Sequence, residues 1–138
     1  MNGIPGPPAV TVVHGACPDA PEGGSCADPT RAVVYLDSDD DFTRQHELGH
    51  LFDAQLLDDA ERAALAPLLD APADPPWDAG TDAQCIDVVC PSERFADAYA
   101  TCRLKWSPDG DWADGYGYSP SPRTHRRVCA AIRRYAED

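Results

Sequence analysis

The stretch His46-Glu47-Leu48-Gly49-His50 determines how the rest of the chain is interpreted. It lies in residues 43–57, whose large apolar residues recur at the spacing of an amphipathic helix. At about 100° per residue, the two histidines lie within about 40° of each other on one helix face, and the apolar residues fall on the opposite side. Both imidazoles can therefore reach one metal ion while the other face is buried. Two histidines on a solvated helix face, without a metal, are the alternative.

Glu47 directly follows the first histidine, so its carboxylate projects beside the ion and can take the proton from a metal-bound water. This is the HExxH arrangement. A catalytic zinc normally has three protein ligands and one open position, so a third ligand is needed. In a metzincin the extended motif would place a glycine and then the third ligand at positions that are here Asp53 and Leu56. Leucine cannot ligate a metal, which argues against that class.

A second predicted helix offers the third ligand. Glu93 and Asp97 share one face of it, and apolar residues occupy the other face. We predict that Glu93 completes the metal site and that Asp97 accepts the ring N–H of His46, holding its tautomer. The sequence leaves Asp53 and Glu61 open as alternative third ligands.

The pentapeptide HELGH followed by Glu-x-Phe-Ala-Asp-x-Tyr resembles the gluzincin metallopeptidases, in particular the single-domain minigluzincins. The resemblance covers Tyr35 to Cys102. It implies one catalytic zinc ion bound by His46, His50 and Glu93. It also implies that Glu47 is the general base and that Asp97 is the acid that supports a histidine ligand.

The expected architecture is one α+β domain over residues 1–138, with residues 1–8 as a flexible lead-in. Short β-branched runs predict two strands, at Val10–His14 and Ala32–Leu36. Helices are predicted over residues 43–57, 59–69, 91–105 and 121–135. The resemblance implies a zincin-like fold, in which a short twisted sheet packs on the HExxH helix and on the helix that carries Glu93. It also implies that an edge strand receives an extended peptide, a role that Ala32–Leu36 could fill.

Gly49 is unusual because a glycine inside a helix costs about 1 kcal/mol relative to alanine. We predict that it lets the helix carrying Glu93 approach closely. A tolerated glycine with no such role is the alternative.

A hydrolase of this kind normally supplies a tyrosine or histidine that donates a hydrogen bond to the oxyanion. Tyr116, Tyr118 and His125 are the candidates. His125 lies on the apolar side of the last predicted helix, which favours a satisfied core histidine. The two tyrosines could line the cleft, but aromatic residues in a small domain are more often core.

Six cysteines in 138 residues are typical of an oxidising compartment, so we expect a secreted or extracytoplasmic protein. The first residues contain no signal peptide. Three disulfides are predicted, and sequence alone allows fifteen connectivities. Local spacing favours the pairs Cys17 with Cys26, Cys85 with Cys90, and Cys102 with Cys129. A structural zinc held by thiolates is the alternative, but paired C-x-x-C knuckles are missing.

The chain has 24 acidic and 11 basic side chains, a formal net charge of −13. This charge disfavours nucleic acid and anionic membrane surfaces as partners. No apolar run approaches the length needed to cross a bilayer. A peptide or protein substrate is expected, and an acidic surface would favour a basic one. The protein is expected to be a monomer.

The sequence therefore predicts a zinc-dependent metallopeptidase that hydrolyses peptide bonds with a zinc-activated water. One alternative is a catalytically silent binding or toxin-like module in which zinc is a structural clip. Another is a zinc amidase acting on cell-wall peptides, since HExxH fixes the activation of water and not the substrate.

Overall fold

The computed structural model describes residues 3–20, 22–71, 77, 90–105 and 117–137. Within these ranges the chain is α+β, as predicted, with a three-stranded sheet and four helices. The elements are β1 (Thr11–His14), β2 (Cys26–Asp28), β3 (Val33–Leu36), α1 (Asp41–Leu56), α2 (Asp59–Leu68), α3 (Pro91–Leu104) and α4 (Pro122–Glu137). No helix in these ranges is both long and apolar enough to span a membrane.

The sheet has the strand order β1-β3-β2. Strand β3 runs parallel to β1, with Val33 opposite Thr11, and antiparallel to β2, with Tyr35 opposite Cys26. Because β3 is the central strand, both of its edges are already paired. The prediction that Ala32–Leu36 receives an extended peptide as an edge strand is therefore wrong. Strand β2 was not predicted because its sequence, Cys-Ala-Asp, has no β-branched residue.

Helix α1 begins two residues before the predicted start because Asp40 caps it. The Asp40 carboxylate accepts hydrogen bonds from the backbone N–H and the hydroxyl of Thr43. Helix α2 follows after two residues and begins with a capping box, in which Asp58 and Glu61 each accept from the other's backbone N–H. Together these caps fix where both helices begin.

Helices α1 and α3 cross at Gly49. A Cβ atom at this position would lie 3.1 Å from the Cα of Ala96 and 3.1 Å from a ring carbon of Tyr99. The prediction that Gly49 lets the helix of Glu93 approach closely is confirmed. The rings of Phe52 on α1 and Tyr99 on α3 also pack together in the main core, with centroids 5.0 Å apart.

Residues 3–9, most of which the composition predicts to be flexible, contact the helices. Ile4 is buried in the main core, and the Tyr99 hydroxyl donates to the carbonyl of Pro5. The backbone of Ala9 exchanges two hydrogen bonds with the side-chain amide of Gln55. Apolar contact and backbone hydrogen bonds thus hold this segment against α1 and α3.

Two of the predicted disulfides are present. One joins Cys17 to Cys26 beside the sheet, and the other joins Cys102 on α3 to Cys129 on α4. The third predicted pair includes Cys85, which lies outside the described residues.

Candidate metal centre

The two histidines of HExxH and the predicted third ligand meet where α1 packs against α3. His46 and His50 project from α1, and Glu93 projects from the first turn of α3. One carboxylate oxygen, Oε1 of Glu93, lies 3.0 Å from Nε2 of His46 and 3.2 Å from Nε2 of His50. One carboxylate oxygen of Glu93 is therefore within hydrogen-bond distance of a ring nitrogen of each histidine.

These two nitrogen–oxygen separations are short enough for the atoms to share one metal ion. Zinc binds histidine nitrogen and carboxylate oxygen at about 2.0 to 2.2 Å, which places neighbouring ligand atoms about 3.3 Å apart. The observed 3.0 and 3.2 Å differ from that spacing by a few tenths of an ångström. The ligand atoms would need only a small outward movement to hold an ion between them.

Asp97 orients the first histidine. Its Oδ1 lies 2.7 Å from Nδ1 of His46, one helical turn beyond Glu93, and the Asp97 side chain is only 2% exposed. Nδ1–H of His46 donates to this carboxylate, so Nε2 is directed toward Glu93 and is the atom available to a metal. The sequence-based assignment of Asp97 as the acceptor for His46 agrees with this geometry.

The protonation of the cluster follows from the pairing of its charges. Burial alone would lower the pKa of His46, but hydrogen bonds to Asp97 and Glu93, with the charge of Glu47, raise it to about 10. Burial likewise opposes the charge on His50, and its hydrogen bond to Glu93 raises its pKa. Burial alone would raise the pKa of Glu93, but the hydrogen bonds from His46 and His50 hold it well below its usual range. The raised pKa of His46 and the lowered pKa of Glu93 both favour a charged pair.

Glu47 lies beside this cluster. A carboxylate oxygen of Glu47 and a ring nitrogen of each of His46 and His50 lie within 4.8 Å of one another. The Glu47 side chain is buried, and its charge helps to raise the pKa of both histidines. Two carboxylates, Glu47 and Glu93, therefore lie close to the histidine pair.

The alternative third ligands have other partners. Asp53 accepts hydrogen bonds from Nε of Arg62, at 2.7 Å, and from the indole N–H of Trp77, at 2.9 Å. Glu61 closes the capping box of α2 by accepting from the backbone N–H of Asp58. Both carboxylates serve the packing of α2 and neither joins the histidine pair.

Two of the candidate oxyanion donors, Tyr118 and His125, are buried, as the sequence favoured for His125. The hydroxyl of Tyr118 and Nδ1 of His125 share a hydrogen bond of 2.6 Å, with Tyr118 in the main core and His125 buried beside it. Burial raises the pKa of Tyr118 and lowers that of His125, so the pair is neutral. Neither residue makes a hydrogen bond or ring contact with His46. Tyr116 lies outside the described residues.

A second group of donor atoms is formed by Cys102, His125 and Cys129. Its two sulfurs are bonded to each other, and Nε2 of His125 lies 3.4 Å from Sγ of Cys129. A disulfide has no thiolate to offer a metal ion. The alternative of a structural zinc on thiolates is therefore not supported at Cys102 and Cys129, nor at the paired Cys17 and Cys26.

Comparisons of this chain with protein-family models, with curated proteins and with solved structures find no match. The function of the protein is therefore inferred from the geometry of the His46, His50 and Glu93 cluster.

Proposed function

We propose that this protein is a zinc-dependent metallopeptidase of the gluzincin type, with a zincin-like fold. The observation that carries the proposal is the convergence of three ligand atoms, from His46, His50 and Glu93, next to a further carboxylate, Glu47. Two imidazoles and one carboxylate are a typical ligand set of catalytic zinc. A structural clip would not need Glu47, whereas a hydrolase needs a base at this place.

Each residue of the cluster then has a distinct part in the reaction. A bound zinc ion would polarise the scissile carbonyl and lower the pKa of a water molecule. Glu47 takes the proton from the attacking water and passes it to the leaving amine. Asp97 fixes the ring of His46 through its Nδ1–H, so the metal-facing nitrogen keeps its direction. The Glu93 carboxylate offsets part of the positive charge of the ion.

The proposed substrate is an extended peptide. Such a peptide can add to an edge of the sheet, and the edges are β1 and β2 rather than β3. The net charge of −13 favours basic peptides near the site. The two disulfides favour an oxidising, extracytoplasmic setting.

The test compares the wild type with Glu47→Gln in two measurements, zinc content and cleavage of a mixed peptide library. Glu22→Gln is the matched control because Glu22 is exposed and remote in sequence from the cluster. We expect all three proteins to bind one zinc, and only the wild type and the control to cleave peptides.

The alternatives give different results in the same experiment. If all three proteins bind zinc and none cleaves peptides, the zinc-clipped binding module is favoured. Cleavage of cell-wall peptides but not of ordinary peptides would favour the amidase. Equal cleavage by the wild type and Glu47→Gln would remove Glu47 from the mechanism.

A further inference from the structure

Helix α4 concentrates positive charge in an acidic protein. It carries five of the eleven basic residues of the chain, all of them arginine, and a single acidic residue, Glu137. The arginines are Arg123, Arg126, Arg127, Arg133 and Arg134. This local charge is opposite in sign to the net charge of −13 of the whole chain.

The five arginines occupy one side of the helix. At about 100° per residue they fall within an arc of about 120°, with the exposed Ala130 among them. The opposite side carries the buried residues Val128 and Ile132, which pack in the main core. Four of the arginines are exposed and Arg133 is half-buried. We call this set of five side chains the arginine face.

No member of the arginine face forms an ion pair within the part of the chain that the structure describes, and Glu137, in the last turn, is the single carboxylate that α4 itself places on this side. Arg31, Arg44 and Arg62 each lie within 4.0 Å of a carboxylate oxygen, but no arginine of α4 does. Nε of Arg133 is buried without a hydrogen-bond partner. Arg134 lies over the ring of Tyr135, 5.5 Å from its centroid, which positions it without neutralising it.

An unpaired face of this kind opposes helix formation. Arg123 is followed by arginines three and four residues later, and like charges at these spacings repel across the helix surface. A solvated face needs only polar groups and is usually built from both signs of charge. The repulsion would be relieved by an anionic partner.

We propose that the arginine face docks an acidic segment of a protein partner. Guanidinium groups are planar forks that bind carboxylates through two parallel hydrogen bonds, and lysine, which lacks this geometry, is absent from α4. From Arg123 to Arg134 the helix rises about 16 Å, the length of about five extended residues. A short run of aspartate or glutamate therefore matches the face in charge and in length.

The rest of the chain argues against larger anionic partners. A nucleic acid or an anionic membrane would extend beyond α4 and meet the excess of carboxylates on the remaining surface. A short acidic segment can contact α4 alone. This inference does not depend on the metal centre, because none of the five arginines contacts its residues.

The test measures fluorescence anisotropy of a labelled hexaglutamate peptide with the full chain, and of a hexaglutamine peptide as the uncharged comparison. The variant carries Arg123→Gln, Arg127→Gln and Arg134→Gln together, all at exposed positions. Arg31→Gln removes an exposed arginine outside α4 and is the control. Circular dichroism and thermal unfolding verify that each variant is folded, and single substitutions replace the triple variant if it is not.

We expect hexaglutamate to bind and hexaglutamine not to bind. The triple variant should bind at least about tenfold more weakly, and Arg31→Gln should bind as the wild type does. Affinity should fall as salt rises from low to physiological concentration. Failure of hexaglutamate to bind, or equal binding by the triple variant, would overturn the proposal. So would tighter binding of duplex DNA or of phosphatidylserine vesicles through the same arginines.

Discussion

Oδ1 of Asp97 lies 2.7 Å from Nδ1 of His46, and both side chains are buried. This contact spans the α1–α3 interface and sets the direction of the first histidine ligand. Replacing Asp97 with alanine removes the contact but leaves all three proposed ligands in place. We expect Asp97→Ala to lower zinc affinity by about ten- to a hundredfold, measured by competition with a chromophoric chelator. Asp19→Ala, at an exposed acidic position, should leave zinc affinity unchanged.

Glu93 should matter more to zinc binding than Asp97, because its Oε1 is the proposed third ligand atom. We expect Glu93→Ala to lose most of the zinc affinity in the same competition assay. Glu61→Ala is the matched control, since Glu61 was an alternative ligand and serves α2 instead. Unchanged zinc affinity in Glu93→Ala would contradict the gluzincin assignment.

Gly49→Ala gives a test in which two physical effects have opposite signs. Helix propensity alone predicts that alanine stabilises α1 by about 1 kcal/mol. Close packing predicts the reverse, because the added Cβ would lie 3.1 Å from atoms of Ala96 and Tyr99, closer than ordinary van der Waals contact. We expect packing to dominate and to destabilise the protein by about 1 to 3 kcal/mol, measured by urea unfolding.

The control for this prediction is Ala54→Gly at an exposed position of the same helix. It should cost about 1 kcal/mol through propensity alone and leave zinc affinity unchanged. Stabilisation by Gly49→Ala would show that α1 and α3 can separate without cost.

The stability of the metal-free protein should depend on pH through the same cluster. The pKa of His46 is raised from 6.5 to about 10, so its contribution is full below pH 6.5 and is lost as pH rises toward 10. The pKa of Glu93 is lowered from 4.5, so its contribution is present above pH 4.5 and is lost as pH falls. These two residues therefore stabilise the metal-free fold most between pH 4.5 and pH 6.5.

Urea unfolding across this pH range, with a chelator present, measures the effect. His46→Gln should flatten the decline above neutral pH, whereas His14→Gln, at an exposed position, should leave it unchanged. Zinc binding near neutral pH should also release protons, which calorimetry in buffers of different ionisation enthalpy detects. Zinc binding without proton release would contradict the proposed protonation of His46.

The helices and the pairing of the two histidines on one helix face were predictable from sequence because both depend on local spacing. A period of 3.6 residues placed His46 and His50 on one face of α1. The same period placed Glu93 and Asp97 on one face of α3. The predicted limits of the four helices differ from the observed ones by two residues at most. Gly49 was also informative, because a glycine inside an otherwise regular helix usually has a packing reason.

The sheet was less predictable because its pairing depends on distant residues. Strand β2 has no β-branched residue, and its pairing with β3 on one side and its disulfide to Cys17 define it instead. Without β2, the central strand looked like an edge. The position of residues 3–9 was also hard to predict, because it depends on contacts with Tyr99 and Gln55, which are distant in sequence.

The disulfide between Cys102 and Cys129 links α4 to the end of α3 that is remote from Glu93. The two cysteines are 27 residues apart, and closing a loop of that length removes denatured-state entropy worth on the order of 3 to 4 kcal/mol. An oxidised chain released from urea therefore begins refolding with these two helices already tethered. For His46 and His50 to meet Glu93 again, α1 must pack against α3 while α3 is held to α4 by the disulfide.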